Sequence, residues 1–326
     1  MRVRAGVMAV ALVAGACAAP PVASTPVAED AIAAPRSVVR IAPGTVPDER
    51  RTGTIAFQSD REGRSKLFVL DLRAGTVTRT TSGPDHHDVE PAWSPDGRRV
   101  AFATTRFDGR TFDLAVAGAS ALDDARRVTT HAAFERQPAW ARDGRSLFLA
   151  SDQDGTQAVF RVALDSGAIA RVSPAPERAL MPAPAPDGTR LAYVMGGGDG
   201  LQVVIQPLPS GAPSRLTSGA EGAAWPAWSP DGTRLACIRY AGGSPARLEV
   251  IDVASRTGTT YALEGLPALR EPAWAPDGRS LVVAGASTAG ADSDWDLVLV
   301  VLDPVASFVR LSSGRGNDTV PSWSAR

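Results

Sequence analysis

The sequence predicts an all-β chain folded as a six-bladed β-propeller with four-stranded antiparallel blades. The first observation behind this is a repeat. "PAWSPDGRRVAF" at Pro91 returns as "PAWARDGRSLFL" at Pro138, "PAPAPDGTRLAY" at Pro182, "PAWSPDGTRLAC" at Pro226, "PAWAPDGRSLVV" at Pro272 and a short "PSWSAR" at Pro321. Successive prolines stand 47, 44, 44, 46 and 49 residues apart, a period of propeller blades and not of helical repeats. The second observation lies at the ends of the array. "TGTIAFQSDREG", from Thr52, reads as a second strand with no tryptophan-bearing strand before it, while the last copy stops after one strand. The C-terminal strand therefore supplies what the N-terminal blade lacks. Five complete blades and one composite make six, and pairing the C-terminal strand with the N-terminal blade closes the ring without a free edge at the seam. The third observation is that no window offers an amphipathic helix, whereas second strands such as "RVAFAT" are apolar on both faces, as stacked blades require.

Each blade can be read in order. A short first strand carries the tryptophan, and the "SPDG" turn follows, with proline where a type I turn wants its fixed φ and glycine at its last position. The second strand comes next, then a polar glycine turn such as "SDREGRS" or "SDQDGTQ". A third strand follows, "KLFVLDL" or "RLEVIDV", and a fourth ends in "R-[LV]-[TS]" at Arg127, Arg171, Arg215 and Arg310. The aspartates of the repeat, Asp96, Asp143, Asp187, Asp231 and Asp277, give one carboxylate per blade. Asp before Gly stabilises its own turn, so this set reads as structure and not as a ring of catalytic acids.

Ahead of the propeller (residues 52–326) lie a targeting segment (1–16) and an Ala/Pro-rich tether (17–51), in which a short first strand is the alternative reading. Arg2 and Arg4 precede the apolar run Val7 to Val13, which is too short to cross a bilayer. Ala14-Gly15-Ala16-Cys17 resembles a bacterial lipobox, which implies lipidation of Cys17 and a periplasmic protein anchored to the outer membrane; plain secretion is the alternative. Cys237 is the one other cysteine, so with Cys17 acylated no disulfide forms. A formal net charge of -1 with dispersed Lys and Arg argues against nucleic acid as a partner.

The "P-x-W-SPDG" copies, the "F-x-S-D-x-x-G" hairpin of residues 57–63 and the "R-L-T" endings together resemble the six-bladed propeller of the TolB family, over residues 52–326. The resemblance implies a periplasmic platform that binds an envelope protein or peptide, without the N-terminal α/β domain that TolB carries. A monomer is expected, touching the membrane only through its lipid anchor.

Function is expected where copies differ. Just upstream of each "P-x-W" stand Asp88 and Glu90, then Glu135 and Arg136, then Arg178, Trp225, Arg270 with Glu271, and Asn317 with Asp318. Shape demands nothing of these positions, yet they gather charges of both signs and an extra tryptophan, which suits binding of a peptide or protein loop at the channel mouth. No cofactor is expected. The alternative is a metal-assisted carbohydrate-active lyase using His86, His87 and His131. Adjacent histidines on an extended segment point apart, however, and His131 lies one blade away. Peptidase chemistry of the prolyl-oligopeptidase kind is disfavoured, because no G-x-S-x-G occurs and "GASTAG" at Gly285 has the wrong spacing.

Overall fold

In the computed structural model, the described residues are 37–41 and 52–324, except 197–199, 243, 291–292, 304–305 and 315. Cys17 and the targeting segment fall outside them. Among the described residues the chain forms six sheets arranged as blades. Blade one runs Asp88–Trp93, Arg99–Thr104, Asp113–Gly118 and Ala121–Arg127, from the channel outwards. The innermost strands of blades two to five are Glu135–Trp140, Ala179–Pro184, Gly222–Trp228 and Ala268–Trp274. Blade six is composite: Asp318–Trp323 pairs antiparallel with Thr54–Ser59, placing Ile55 opposite Trp323, and Lys66–Asp71 and Thr76–Arg79 complete it. Within the segment read as a tether, Ser37–Ile41 adds a fifth strand to blade four, parallel to Gly258–Leu263.

Because both faces of each blade are apolar, the core is divided among the spaces between blades. Ile238 and Leu248 of blade four meet Leu269, Leu281 and Val298 of blade five, and Leu67 of blade six meets Val100 and Phe102 of blade one. The motifs fasten these layers. In each "DG" turn the glycine N–H donates to the carbonyl three residues back, as Gly97 does to Ser94 at 2.8 Å, with Gly97 at a φ of 64° that favours glycine. The aspartate accepts from the backbone two residues on: Asp96 from Arg98 at 3.0 Å, Asp143 from Arg145 at 2.8 Å. The repeat's carboxylates are turn-builders, as expected. In "R-[LV]-[TS]", the hydroxyl takes the first free N–H of the third strand, Thr129 from Leu114 at 2.9 Å and Ser173 from Val159 at 3.0 Å, and Thr81 after Arg79-Thr80 does the same for Leu67 at 3.0 Å.

The repeated tryptophans are latches. Trp140 Nε1 donates to Ala92 O of the preceding blade at 2.9 Å, Trp228 to Ala183 at 2.9 Å and Trp274 to Ala227 at 3.0 Å. Over each of these rings lies an arginine of that preceding blade: Arg99 at 4.6 Å, Arg190 at 4.6 Å and Arg234 at 4.7 Å from the ring centre. The same arginines donate to the glycine carbonyl of the next "DG" turn, namely Gly144, Gly232 and Gly278. Blade two has Ser146 in the arginine position, and there the next blade has Pro184 in place of tryptophan. Trp93 breaks the pattern, since its buried Nε1 has no acceptor.

This asymmetry makes a prediction. Trp228→Phe strands the Ala183 carbonyl and will cost about 1–2 kcal/mol more than Trp93→Phe, which removes a donor already unpaired. Urea unfolding of the two variants measures the difference.

Candidate functional site

The central channel encloses about 480 Å³ and is built from four stacked rings, one residue per blade in each. Three rings repeat almost unchanged: prolines (Pro91 to Pro321), small residues (Ala92 to Ser322), and tryptophans with Pro184 as the exception. The fourth ring is Glu90, Gln137, Met181, Trp225, Glu271 and Val320, each immediately before the ring of prolines. All six have positive φ, between 51° and 58°, at a bulge where the innermost strand slips against the second. A left-handed conformation is costly for tryptophan and more so for β-branched valine, so packing must over-determine it.

In five of the six ring residues the backbone N–H at the bulge meets a side chain of the preceding blade. Gln137 N–H donates to Glu90 Oε2 at 2.7 Å, Met181 to Gln137 Oε1 at 2.8 Å and Trp225 to Met181 Sδ at 3.4 Å. Val320 donates to Glu271 Oε2 at 2.6 Å. The Val320 side chain has no acceptor, and Gln58 of the same blade stands in, taking the Glu90 N–H at 2.9 Å. The wall that results is two-sided. Glu271, Glu90 and Gln137, with Val320 between the two glutamates, make the polar arc, with Arg136 2.8 Å from Glu90 Oε1, while Met181 and Trp225 make the other arc apolar. Burial pushes the Glu271 carboxyl above its ordinary range, an effect that neighbouring Arg270 offsets in part.

Of the ten residues expected at the mouth, Glu90, Trp225 and Glu271 line this channel. Only Arg178 and Asn317 precede their strands, while the others lie within innermost strands. Arg270 packs on the Trp295 ring at 3.9 Å, and Arg178 donates to Gln157 at 2.8 Å. Asn317 bonds Asp60. Asp88, Glu135 and Asp318 begin their strands and are buried. Gln58, Gln137, Met181 and Val320 lie outside those ten, and the signal for the last three is their place directly before the repeat proline.

The three buried acids occupy equivalent positions and find different partners. Asp88 accepts from Thr104 at 2.7 Å and Arg106 at 2.9 Å, with the Lys66 ammonium at 3.3 Å. Burial pushes its carboxyl up, but these partners outweigh that and hold it below the usual range. Burial lowers Lys66. Asp318 pairs with Arg61 at 2.5 Å. In blade two the residue matching Arg106 and Arg61 is Gln153, and Glu135, 1% exposed, has no donor at bonding geometry for either oxygen. Burial drives Glu135 up to about 7, the Asp113 carboxylate adds to the rise, and the Thr129 hydroxyl offsets it only in part.

The histidines are spent on structure. His86 Nε2 lies 3.1 Å from Asp88, His87 Nε2 lies 3.0 Å from Arg64 Nη1, and His131 Nδ1 accepts from Ala133 N–H. Among the described residues no three His, Cys, Asp or Glu side chains converge to hold a metal ion.

Residues 85–225 match the TolB beta propeller domain. TolB from Acinetobacter baumannii superposes with a TM-score of 0.70 at 20% identity, over 84% of this chain and 67% of that one. The domain is a TolB-like propeller. An oligogalacturonate lyase in complex with manganese shares the fold at TM-score 0.57 and 17% identity, over 80% of this chain and 74% of that one. Among curated proteins, the uncharacterized peptidase YuxL of Bacillus subtilis (strain 168) is 27% identical over 110 residues, 33% of this chain and 16% of that protein. This chain thus spans about a sixth of that relative's length.

Glu135 gives the propeller a pH dependence of defined sign. Its carboxyl titrates near 7 when folded against an ordinary 4.5, so the folded state holds a proton that the unfolded state has released. The stabilising effect is present below about pH 4.5 and is lost as pH rises towards 7, by about 3 kcal/mol in all. Glu135→Gln should match the wild type in urea melts near pH 4.5 and exceed its stability by up to that amount at pH 8.

Proposed function

We propose that this chain is a non-catalytic binding protein of the cell envelope, and that its channel takes up a segment of a protein or peptide partner at the left-handed ring. The observation that carries this reading is the contrast between rings. The proline, small-residue and tryptophan rings repeat because blade packing requires them. The left-handed ring carries five residue types in six blades and holds unfavourable backbone conformations around a two-sided wall. Strain held by the surrounding fold, in a cavity with an aromatic anchor and a few convergent polar groups, is the mark of a binding site. The charged and apolar N-terminal segment supports export to the periplasm, and the lipobox-like Ala14 to Cys17 supports anchoring through Cys17. The TolB-like fold supports the adaptor role over the lyase alternative, as does the dispersal of His86, His87 and His131 among separate partners.

Selection of random peptides displayed on phage tests this. The wild-type propeller should enrich a defined sequence class. The double variant Trp225→Ala, Glu90→Gln should bind those peptides at least tenfold more weakly while melting within a few degrees of wild type. Gln at position 90 keeps the acceptor for the Gln137 N–H, so a loss of binding would report the wall and not the fold. Equal binding by both proteins, or no enrichment by either, would refute the channel as the site.

A further inference from the structure

Resting on that reading of the channel, we infer that the peptide is recognised through a backbone carbonyl that accepts from the Glu271 N–H beside the Trp225 indole. The ring of hydrogen bonds around the channel supplies its own standard. Five of its six members hand their N–H to a side chain, from Gln58 for Glu90 round to Glu271 for Val320. The sixth, Glu271, has the same left-handed φ of 57° and the same bulge, so its N–H is turned in the same direction, towards blade four. The residue there is Trp225, whose side chain has a donor and no acceptor. Among the described residues no side chain receives the Glu271 N–H, and none receives Trp225 Nε1–H. The circuit is open at this one step, and two donors flank the opening.

The surroundings select the acceptor. The Glu271 and Glu90 carboxylates share the ring and disfavour an anionic ligand, so a neutral carbonyl fits better than a carboxylate. Met181 and Trp225 form the apolar arc next to the open N–H and would take the side chain following that carbonyl. An extended peptide presents such a carbonyl and side chain together, and the channel, at about 480 Å³, has room for a few residues.

The ring also supplies the decisive variant. Gln137, at φ 58°, shows that glutamine at a ring position caps the next N–H. Trp225→Gln should therefore close the circuit at Glu271 internally. It should melt a few degrees above Trp225→Ala and compete with the peptide for the same donor. Identical melting of the two variants would mean that the N–H is not in deficit and would overturn the inference. The second arm follows backbone amides by 15N–1H NMR during titration with N-acetyl-leucine methylamide. The Glu271 cross-peak should move downfield and saturate in wild type and stay fixed in Trp225→Gln, with the capped amides of Gln137 and Val320 little changed. If other channel amides move and Glu271 does not, the carbonyl inference falls while the channel reading stands. If no channel amide responds to this probe or to the phage-selected peptides, both fall. A Glu271 response to maltotriose and not to the peptide analogue would replace the peptide by a neutral glycan.

Discussion

Everything in this molecule depends on the seam between adjacent blades. A four-stranded sheet that is apolar on both faces cannot remain in water alone, and each blade here is covered only by its two neighbours. Ile238 and Leu248 against Leu281 and Val298, or Leu67 against Val100 and Phe102, are the same solution repeated around an axis. Burial is not directional, however, and would tolerate sliding. The tryptophan latches remove that freedom. The N–H groups of Trp140, Trp228 and Trp274 are each directed at one carbonyl of the preceding blade, and an arginine from that blade lies over each ring while bonding the next turn.

The channel is a consequence of that ring and also its exposed part. Six innermost strands converge, and each bulges once, directly before its repeat proline. The bulge frees an N–H that the ladder would have used, and a side chain from the preceding blade takes it. The residue type at each ring position is thus asked to do two things: cap its neighbour and present a surface to the channel. Glu90 and Gln137 do both. Trp225 presents a surface without capping, and the deficit falls on Glu271.

Charges buried beyond the channel follow a separate logic. Desolvation of a carboxylate must be offset by partners, and Asp88 and Asp318 have theirs in Arg106 and Arg61. Gln153 replaces the arginine in blade two, and Glu135 responds by holding its proton near neutrality. One substitution in a repeat changes the protonation of a residue on another strand of the blade, because the low-polarity seam leaves little water to compensate.

The sequence by itself determined the period, the number of blades, the closure by Asp318–Trp323 and the structural role of the "DG" aspartates, because these follow from spacing and local turn chemistry. It also pointed to the residues before each "P-x-W" as the variable ones. It could not sort them. Asp88 and Glu90 are two residues apart, and period-two alternation would put both on one side of a strand. The positive φ at Glu90 breaks that alternation, so Glu90 faces the channel while Asp88 lies buried against Lys66 and Arg106. Nor could spacing show that Gln58, on another strand, completes the ring where Val320 fails. The sign of a dihedral angle and the meeting of strands distant in the chain are set by closing the ring, and only the tertiary structure decides them.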